Sequence, residues 1–365
     1  MDMEDVMEDE VQLRYNRVEG PFLGWLLSRA YHGKTSLAHF GQGGYGFGAE
    51  DWQFQANGEI YTFYGPPETQ SHLATIGAEI HDLSDSQDGW LISEEENSLS
   101  ALLMRRDFLD YYRRFGWSAY TAHNVGGILH MTVKYGRDDF ESQANSVSWA
   151  LHDTRFSRDD FRPNPAVVEG VVSSARVDVQ LDTRNSRHNP WQGWFINGLF
   201  ERAGGVLQGD HTFKRYVLDL RRYQPVSLGT RLDLRLRTGT AKKDLPTHYL
   251  YDLAGISTLR GYRFKEFSGD RMALVNLEYW IDTDRHWHNH LPIDDLGVGV
   301  FFDVGSAWFA NDASDPFEGV SESELKRSFG FGLGDKSQDF RFDLARPLDG
   351  DDESWHSLLR FGRSF

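Results

Sequence analysis

The chain contains no cysteine, which excludes a disulfide framework and a thiolate metal site. It also lacks any run of about 18 apolar residues, so it offers no candidate transmembrane helix. Basic residues are outnumbered: 38 Lys and Arg stand against 55 Asp and Glu, for a formal net charge of −17. Nucleic-acid binding needs clustered positive charge, so no nucleic-acid partner is expected. The opening MDMEDVMEDE lacks the basic segment and apolar core of a signal peptide. Residues 1–13 read instead as an acidic, solvated tail. None of these absences excludes a membrane. A strand that crosses a bilayer alternates lipid-facing apolar with water-facing polar residues, and its average looks soluble.

What the chain does have is a period of two. In RLDLRLRTG, Leu232, Leu234 and Leu236 alternate with Arg231, Asp233, Arg235 and Arg237. SARVDVQLD sets Val177, Val179 and Leu181 against Arg176, Asp178, Gln180 and Asp182. RYVLDLRRY and FRFDLARPL repeat the pattern, the latter with Phe342 and Leu344 against Arg341 and Asp343. One face suits lipid, and the other suits a charged lumen where opposite signs pair across strands. About sixteen such segments occur, from 20–31 to 355–365 with 144–155 among them, an even number as bacterial barrels require. The expected fold is therefore all-β: a closed antiparallel transmembrane β-barrel. If the N-terminus is periplasmic, the segments 156–169 and 241–268 fall outside and 83–115 falls on the periplasmic side. Within 83–115, Leu99, Leu102, Leu103, Leu109 and Tyr112 lie near helical spacing, and Asn97 or Ser98 is a candidate cap. A short helix covering the periplasmic edge is expected there, with an irregular turn as the alternative. The chain closes on WHSLLRFGRSF, which places Trp355, Leu359, Phe361 and Phe365 on one face at period two, as suits a closing barrel strand.

Strand parity also aims two carboxylates inward. Glu278 shares a face with Asn276, opposite Val275, Leu277 and Tyr279, and Asp303 lies opposite Val298, Val300, Phe302 and Val304. The loop before them carries LRGYRF, and the order of motifs around it is informative. LRGYRF, GDRMALVNLEYW, GVGVFFDVGSAWF, SFGFGLG, FRFDLARPL and FGRSF follow one another as in the BamA/TamA-like superfamily of bacterial surface antigen barrels. RYNRVEGPFLG, from Arg14 to Gly24, resembles that family's entry into the first barrel strand. The resemblance runs from residue 14 to Phe365 and implies a bacterial outer-membrane location. It implies that the external loop folds inward, so that Arg260 of the tip Leu259, Arg260, Gly261, Tyr262 meets an inner wall formed by Phe301, Asp303 and Gly305, with Glu278 as a second acceptor. A guanidinium there needs a carboxylate fork, and only arginine has the fixed donor geometry for it. Gly261 would let the tip approach the wall, and Tyr262 would pack on it.

The resemblance further implies assistance in inserting or translocating polypeptides at the outer membrane, or lipid handling. Its partners would be outer-membrane lipid and lipopolysaccharide and unfolded outer-membrane clients. The alternative is a plugged pore or structural barrel. The family usually carries POTRA domains ahead of the barrel, and only residues 1–13 precede Arg14 here, so the expectation is either a barrel-only member or a chain from which such domains were removed. No enzyme, cofactor or metal is expected. DRHWHNH brings His286, His288 and His290 together, but no carboxylate or fourth ligand follows at ligand spacing, and it reads as a turn. GQGGYGFG lacks the Lys-Ser/Thr of a phosphate loop, and no G-x-S-x-G occurs. Gly41, Gly43, Gly44 and Gly46 suit a bent strand near the barrel seam.

Overall fold

The computed structural model describes residues 10–65, 71–151, 160–243, 245–283, 296–310, 324–335, 340–349, 354–363 and 365. They form two compact units. The first takes in the described residues of Met1–Val179, Phe200–Lys214 and Asp244–Tyr249, and the second those of Gln180–Leu199, Arg215–Lys243 and Leu250–Phe365.

The first unit holds β1 (Glu10–Asn16), β2 (Gly20–Leu27), β3 (Thr35–Gly46), β4 (Asp51–Tyr64), β5 (His72–Asp85), helix α1 (Glu94–Met104), β6 (Tyr112–Val125) and β7 (Leu129–Ser142). β8 (Gly170–Asp182), β9 (Gly193–Ala203) and β10 (Phe213–Ser227) follow and give residues to both units. The second unit holds β11 (Thr230–Lys242), β12 (Tyr251–Leu253), β13 (Phe267–Gly269), β14 (Arg271–Asp282), β15 (Leu296–Trp308), β16 (Lys326–Asp335), β17 (Arg341–Pro347) and β18 (His356–Arg360). Sixteen strands make one sheet in chain order, and β12 with β13 forms a separate ribbon. Among the described residues no helix is long and apolar enough to cross a membrane.

The distribution of side chains is the reverse of a water-soluble sheet. In the second unit Val275, Leu277, Val300, Phe302, Phe331, Leu333 and Leu344 are exposed. Arg231, Arg235, Arg260, Arg271, Arg341 and Arg360 are fully buried. An apolar outer face over a charged inner face is what lipid on one side selects.

Three sequence expectations are corrected. The segment 144–155 is not a strand in its described part, and β1, which the alternation count left out, takes its place among the sixteen. The apolar alternation of Val147 and Trp149 has another cause. Val147 packs on the cluster of Tyr15, Ala101 and Phe161, and the Trp149 ring lies 4.8 Å from that of Tyr15. The helix is also earlier than its leucines suggest. Ser93 caps it, its hydroxyl accepting from Glu96 N, and Glu94, Glu95 and Glu96 fill the first turn, where the helix dipole favours acids. Arg105 ends it at φ 51°, so Leu109 and Tyr112 belong to the extended chain beyond. Finally, α1 lies on the fifth connection of the sheet, an odd one. The rule that puts 241–268 outside therefore puts α1 outside too, rather than on the periplasmic edge.

In β3 the glycines answer a packing demand. Gly44 pairs with Gly24, and a Cβ on Gly44 would stand 2.4 Å from the Phe22 ring. The space admits that ring, and the Arg14 guanidinium stacks on it 3.6 Å from the centroid.

Candidate functional site

The site lies wholly within the second unit, and its geometry follows from strand register. β14, β15 and β16 align Asn276 with Asp303 and Asp303 with Ser328 in one row. The next row of the same face aligns Glu278, Phe301, Gly330 and Ala345. The one after it aligns Trp280, Gly299, Gly332 and Asp343. Large rings thus stand beside glycines. A Cβ on Gly330 would sit 2.4 Å from the Phe301 ring, and one on Gly299 would sit 2.8 Å from the Trp280 ring. Without side chains at these glycines, the rings lie down and form a floor.

Arg260 rests on that floor. Its guanidinium carbon is 3.4 Å from the Phe301 centroid, a cation–π contact. Its Nε donates to Asp303 Oδ2 at 3.0 Å and Nη2 donates to Oδ1 at 2.6 Å, a two-pronged contact. The Arg260 backbone N–H donates to the same carboxylate at 3.2 Å. Nη1 donates to Glu278 and lies 3.6 Å from Asp343 Oδ2. Arg260 and Asp303 are 0% exposed and Glu278 is 2% exposed. Leu259 is fully buried, and its carbonyl accepts from the N–H groups of Gly255 and Tyr262 to shape the tip. Tyr262 donates to the Arg327 carbonyl at 3.1 Å. A Cβ on Gly261 would stand 2.5 Å from the Arg346 carbonyl carbon, so only glycine lets the tip come this close to β17. Gly305 makes the same allowance within the wall, where a Cβ would meet the Ala273 carbonyl oxygen at 2.7 Å.

The network is larger than the family pattern indicated. Arg341 donates to Asp343 at 2.7 Å and to both Glu278 oxygens at 2.8 and 3.2 Å, above the Trp280 ring. Asn276 and Ser328 donate to Asp303 at 2.8 and 3.2 Å, and Trp280 Nε1 donates to Glu278 at 2.9 Å. These neutral donors bond the same carboxylate oxygens that the arginines engage, filling their remaining lone pairs. Arg341 and Asp343 were legible as polar members of an alternating strand. Their meeting with Arg260 was not, because it depends on register across three strand pairs. Chemically the arrangement is a latch: a buried cation held among three carboxylates fixes the loop to the wall.

The C-terminal segment departs from a continuous closing strand. Leu359 lies in β18 opposite Phe342, but the strand ends at Arg360. Phe361 packs edge-on against Phe340 at 6.0 Å between centroids. Arg363 then donates to Asn189 at 2.9 Å and to the Pro190 carbonyl at 2.8 Å, and its Nη2 lies 3.3 Å from Asp233. The Phe365 carbonyl oxygen accepts from the buried Tyr223 hydroxyl at 3.0 Å. These polar partners draw the chain off the ladder, which period-two reading could not foresee. His286, His288 and His290 lie outside the described residues.

Comparison with known proteins gives concordant results. The Omp85 superfamily domain matches residues 90–362. The outer membrane protein assembly factor BamA of Nitratidesulfovibrio vulgaris is 27% identical over 274 residues, covering 68% of this chain. The chain spans about a third of that relative's length (32%). The crystal structure of BamA from Haemophilus ducreyi lacking POTRA domains 1–3 superposes with a TM-score of 0.56 at 11% identity, covering 95% of this chain and 69% of that one. CdiB from Acinetobacter baumannii gives a TM-score of 0.46 at 14% identity, covering 96% of this chain and 58% of that one. The BamA superposition shows the fold to be an antiparallel sixteen-stranded β-barrel. The superfamily domain runs over most of the sequence, and on that ground the chain belongs to the Omp85 superfamily.

Proposed function

We propose that this barrel assists the insertion or translocation of polypeptides at the bacterial outer membrane, where its superfamily and fold place it. The observation that carries the reading is the brevity of β18. It offers five residues, whereas β5 and β6 pair over fourteen. Any ladder on the other edge of β18 is at most five residues long, because the strand ends at Arg360, and Arg363 and Phe365 beyond it bond Asp233 of β11 and Tyr223 of β10 instead of extending it. A short terminal ladder is cheap to open, and an open strand edge can hydrogen-bond an incoming extended segment. The clients would be unfolded outer-membrane proteins, with outer-membrane lipid and lipopolysaccharide as the surrounding partners. The role needs no covalent chemistry, and no enzymatic activity is part of the proposal.

The rival reading, a plugged pore, is favoured by the depth of the Arg260 latch. One experiment separates them. The purified chain is placed in lipid vesicles, and the folding of a small unfolded outer-membrane barrel protein is followed by its heat-modifiable gel migration. The assisting role predicts faster folding than in empty vesicles, and slower folding when a disulfide engineered between the terminal strands fixes them. Equal rates in loaded and empty vesicles, with ion conductance on removal of the loop tip, would establish the pore instead.

A further inference from the structure

The first strand has a covered edge, and α1 covers it. In the β1–β2 pairing Tyr15 lies opposite Pro21, which has no N–H, and the Pro21 carbonyl accepts from Phe47 on the β3 side. Antiparallel pairs alternate, so Tyr15 and the residues of its parity turn their N–H groups away from β2. The Tyr15 N–H donates to Ser98 Oγ of α1 at 2.6 Å. The next amide of that parity, Arg17, donates to Asp107 Oδ2 at 3.0 Å, and its carbonyl accepts from Ser146 and Val147 N–H at 2.9 and 3.3 Å.

The cap is held firmly. Asp107 accepts from Asn97 at 3.0 Å, from the Tyr111 hydroxyl at 3.1 Å and from Leu109 N–H at 3.2 Å. Burial, with the Asp107 charge adding to it, pushes the Tyr111 hydroxyl well above its usual range, so it remains a donor. The fully buried Arg17 side chain lies 3.0 Å from Asp107 and donates to Asp110 at 3.1 Å and to Asn164 at 2.9 Å. None of this is needed to make the β1–β2 turn. Asn16 does that, its Oδ1 accepting from Val18 and Glu19 N–H at 3.0 and 2.7 Å. The bonds from α1 and its connection fall on the Tyr15 amide near the end of the strand and on the Arg17 amide at the start of the turn. Val11 and Leu13, of the same parity, lie outside the capped stretch.

We propose that the connection carrying α1 is a stop for strand addition on β1. An extended polypeptide segment can ladder along Val11 and Leu13, and Ser98 and Asp107 already hold the donors it would need beyond them. The stop rests on the insertion reading above, and it adds a fixed limit to how far an added strand can run. Covering an edge with a helix is a general defence against unwanted pairing. Here the cover is partial, so it sets a length.

The test is hydrogen exchange resolved to single amides, on the whole chain in lipid nanodiscs, with and without a synthetic peptide of residues 355–365. In the unaltered chain the Tyr15 and Arg17 amides should be protected whether or not peptide is present. Ser98→Ala keeps a good helix former, and it should speed exchange at Tyr15 about three- to tenfold, as loss of one hydrogen bond implies. Peptide should then restore protection at Tyr15, showing that the ladder has moved past the former stop. Asp107→Asn should do the same for Arg17. Unchanged exchange at Gln12 and Arg14, which face β2, reports an intact fold. Tyr15 exchanging equally fast in both chains overturns the cap. Peptide that protects Val11 and Leu13 but not Tyr15 in Ser98→Ala overturns the stop. Peptide that protects no β1 amide in either chain, while Ser98→Ala still speeds Tyr15, overturns the edge-addition reading and the stop with it, and leaves only the cap.

Discussion

Removing the Arg260 side chain should unlatch the loop, and its partners set the size of the effect. Asp303 loses the two-pronged contact at 3.0 and 2.6 Å and keeps the neutral donors Asn276 and Ser328. Glu278 loses one donor but keeps both contacts from Arg341 and one from Trp280. The stranded charge is therefore Asp303, and breaking one side of a buried pair costs about 3–5 kcal/mol. Arg260→Ala and Asp303→Ala should each destabilise by that amount. Glu278→Ala should cost less, because Arg260 keeps Asp303 and Arg341 keeps Asp343. The double variant Arg260→Ala/Asp303→Ala should be no worse than either single, a coupling of at least about 3 kcal/mol. Arg260→Lys restores charge without the fork and should recover only part of the loss, leaving a deficit of about 1.5–3 kcal/mol. The assay is denaturant unfolding of the chain in lipid vesicles, followed by tryptophan fluorescence and run as a double-mutant cycle. Additive single losses, or an Arg260→Ala deficit below about 1 kcal/mol, the range of an exposed pair, would refute the latch.

Three more outcomes are expected. Gly261→Ala puts a Cβ 2.5 Å from the Arg346 carbonyl carbon and should lift the tip at about 1–3 kcal/mol of overpacking, read as faster trypsin cleavage at Arg263 and Lys265. Leu277→Arg places a cation on the exposed apolar face and should cost about 2–4 kcal/mol in vesicle unfolding, whereas Leu277→Ile should stay within about 1.5 kcal/mol. Tyr223→Phe removes the donor to the Phe365 carbonyl and should cost about 0.5–1.5 kcal/mol, with faster exchange confined to the last residues of the chain.

The alternation of Leu232, Leu234 and Leu236 with arginines made the barrel legible, because a lipid face and a charged face impose opposite chemistry on successive residues. Val147 and Trp149 alternate just as well and form no strand. Their rhythm records packing against Tyr15 and α1, and a period cannot name the surface it packs on. β1 escaped notice because its seven residues adjoin an acidic run and its Tyr15 is buried by α1 rather than left to lipid. The wall of the latch was half legible. Parity alone aims Glu278 and Asp303 inward, and the order of motifs names Arg260. The roles of Arg341, Asp343 and the glycine floor depend on which residue stands beside which, and register is not written in any one strand.

Glu278, Asp303 and Asp343, the carboxylates that hold Arg260, come from β14, β15 and β17, all later in the chain than the loop itself. The latch is thus built from the loop and the strands that follow it in the chain. Four neighbouring strands and the preceding loop contain everything it requires, so it can form as soon as the C-terminal strands have paired. Opening of β18 takes from the loop the Arg360 donor to Ser257 but leaves the Arg260 contacts to the three carboxylates in place. The loop then moves as a fixed part of the C-terminal wall, like a keystone set before the arch is finished.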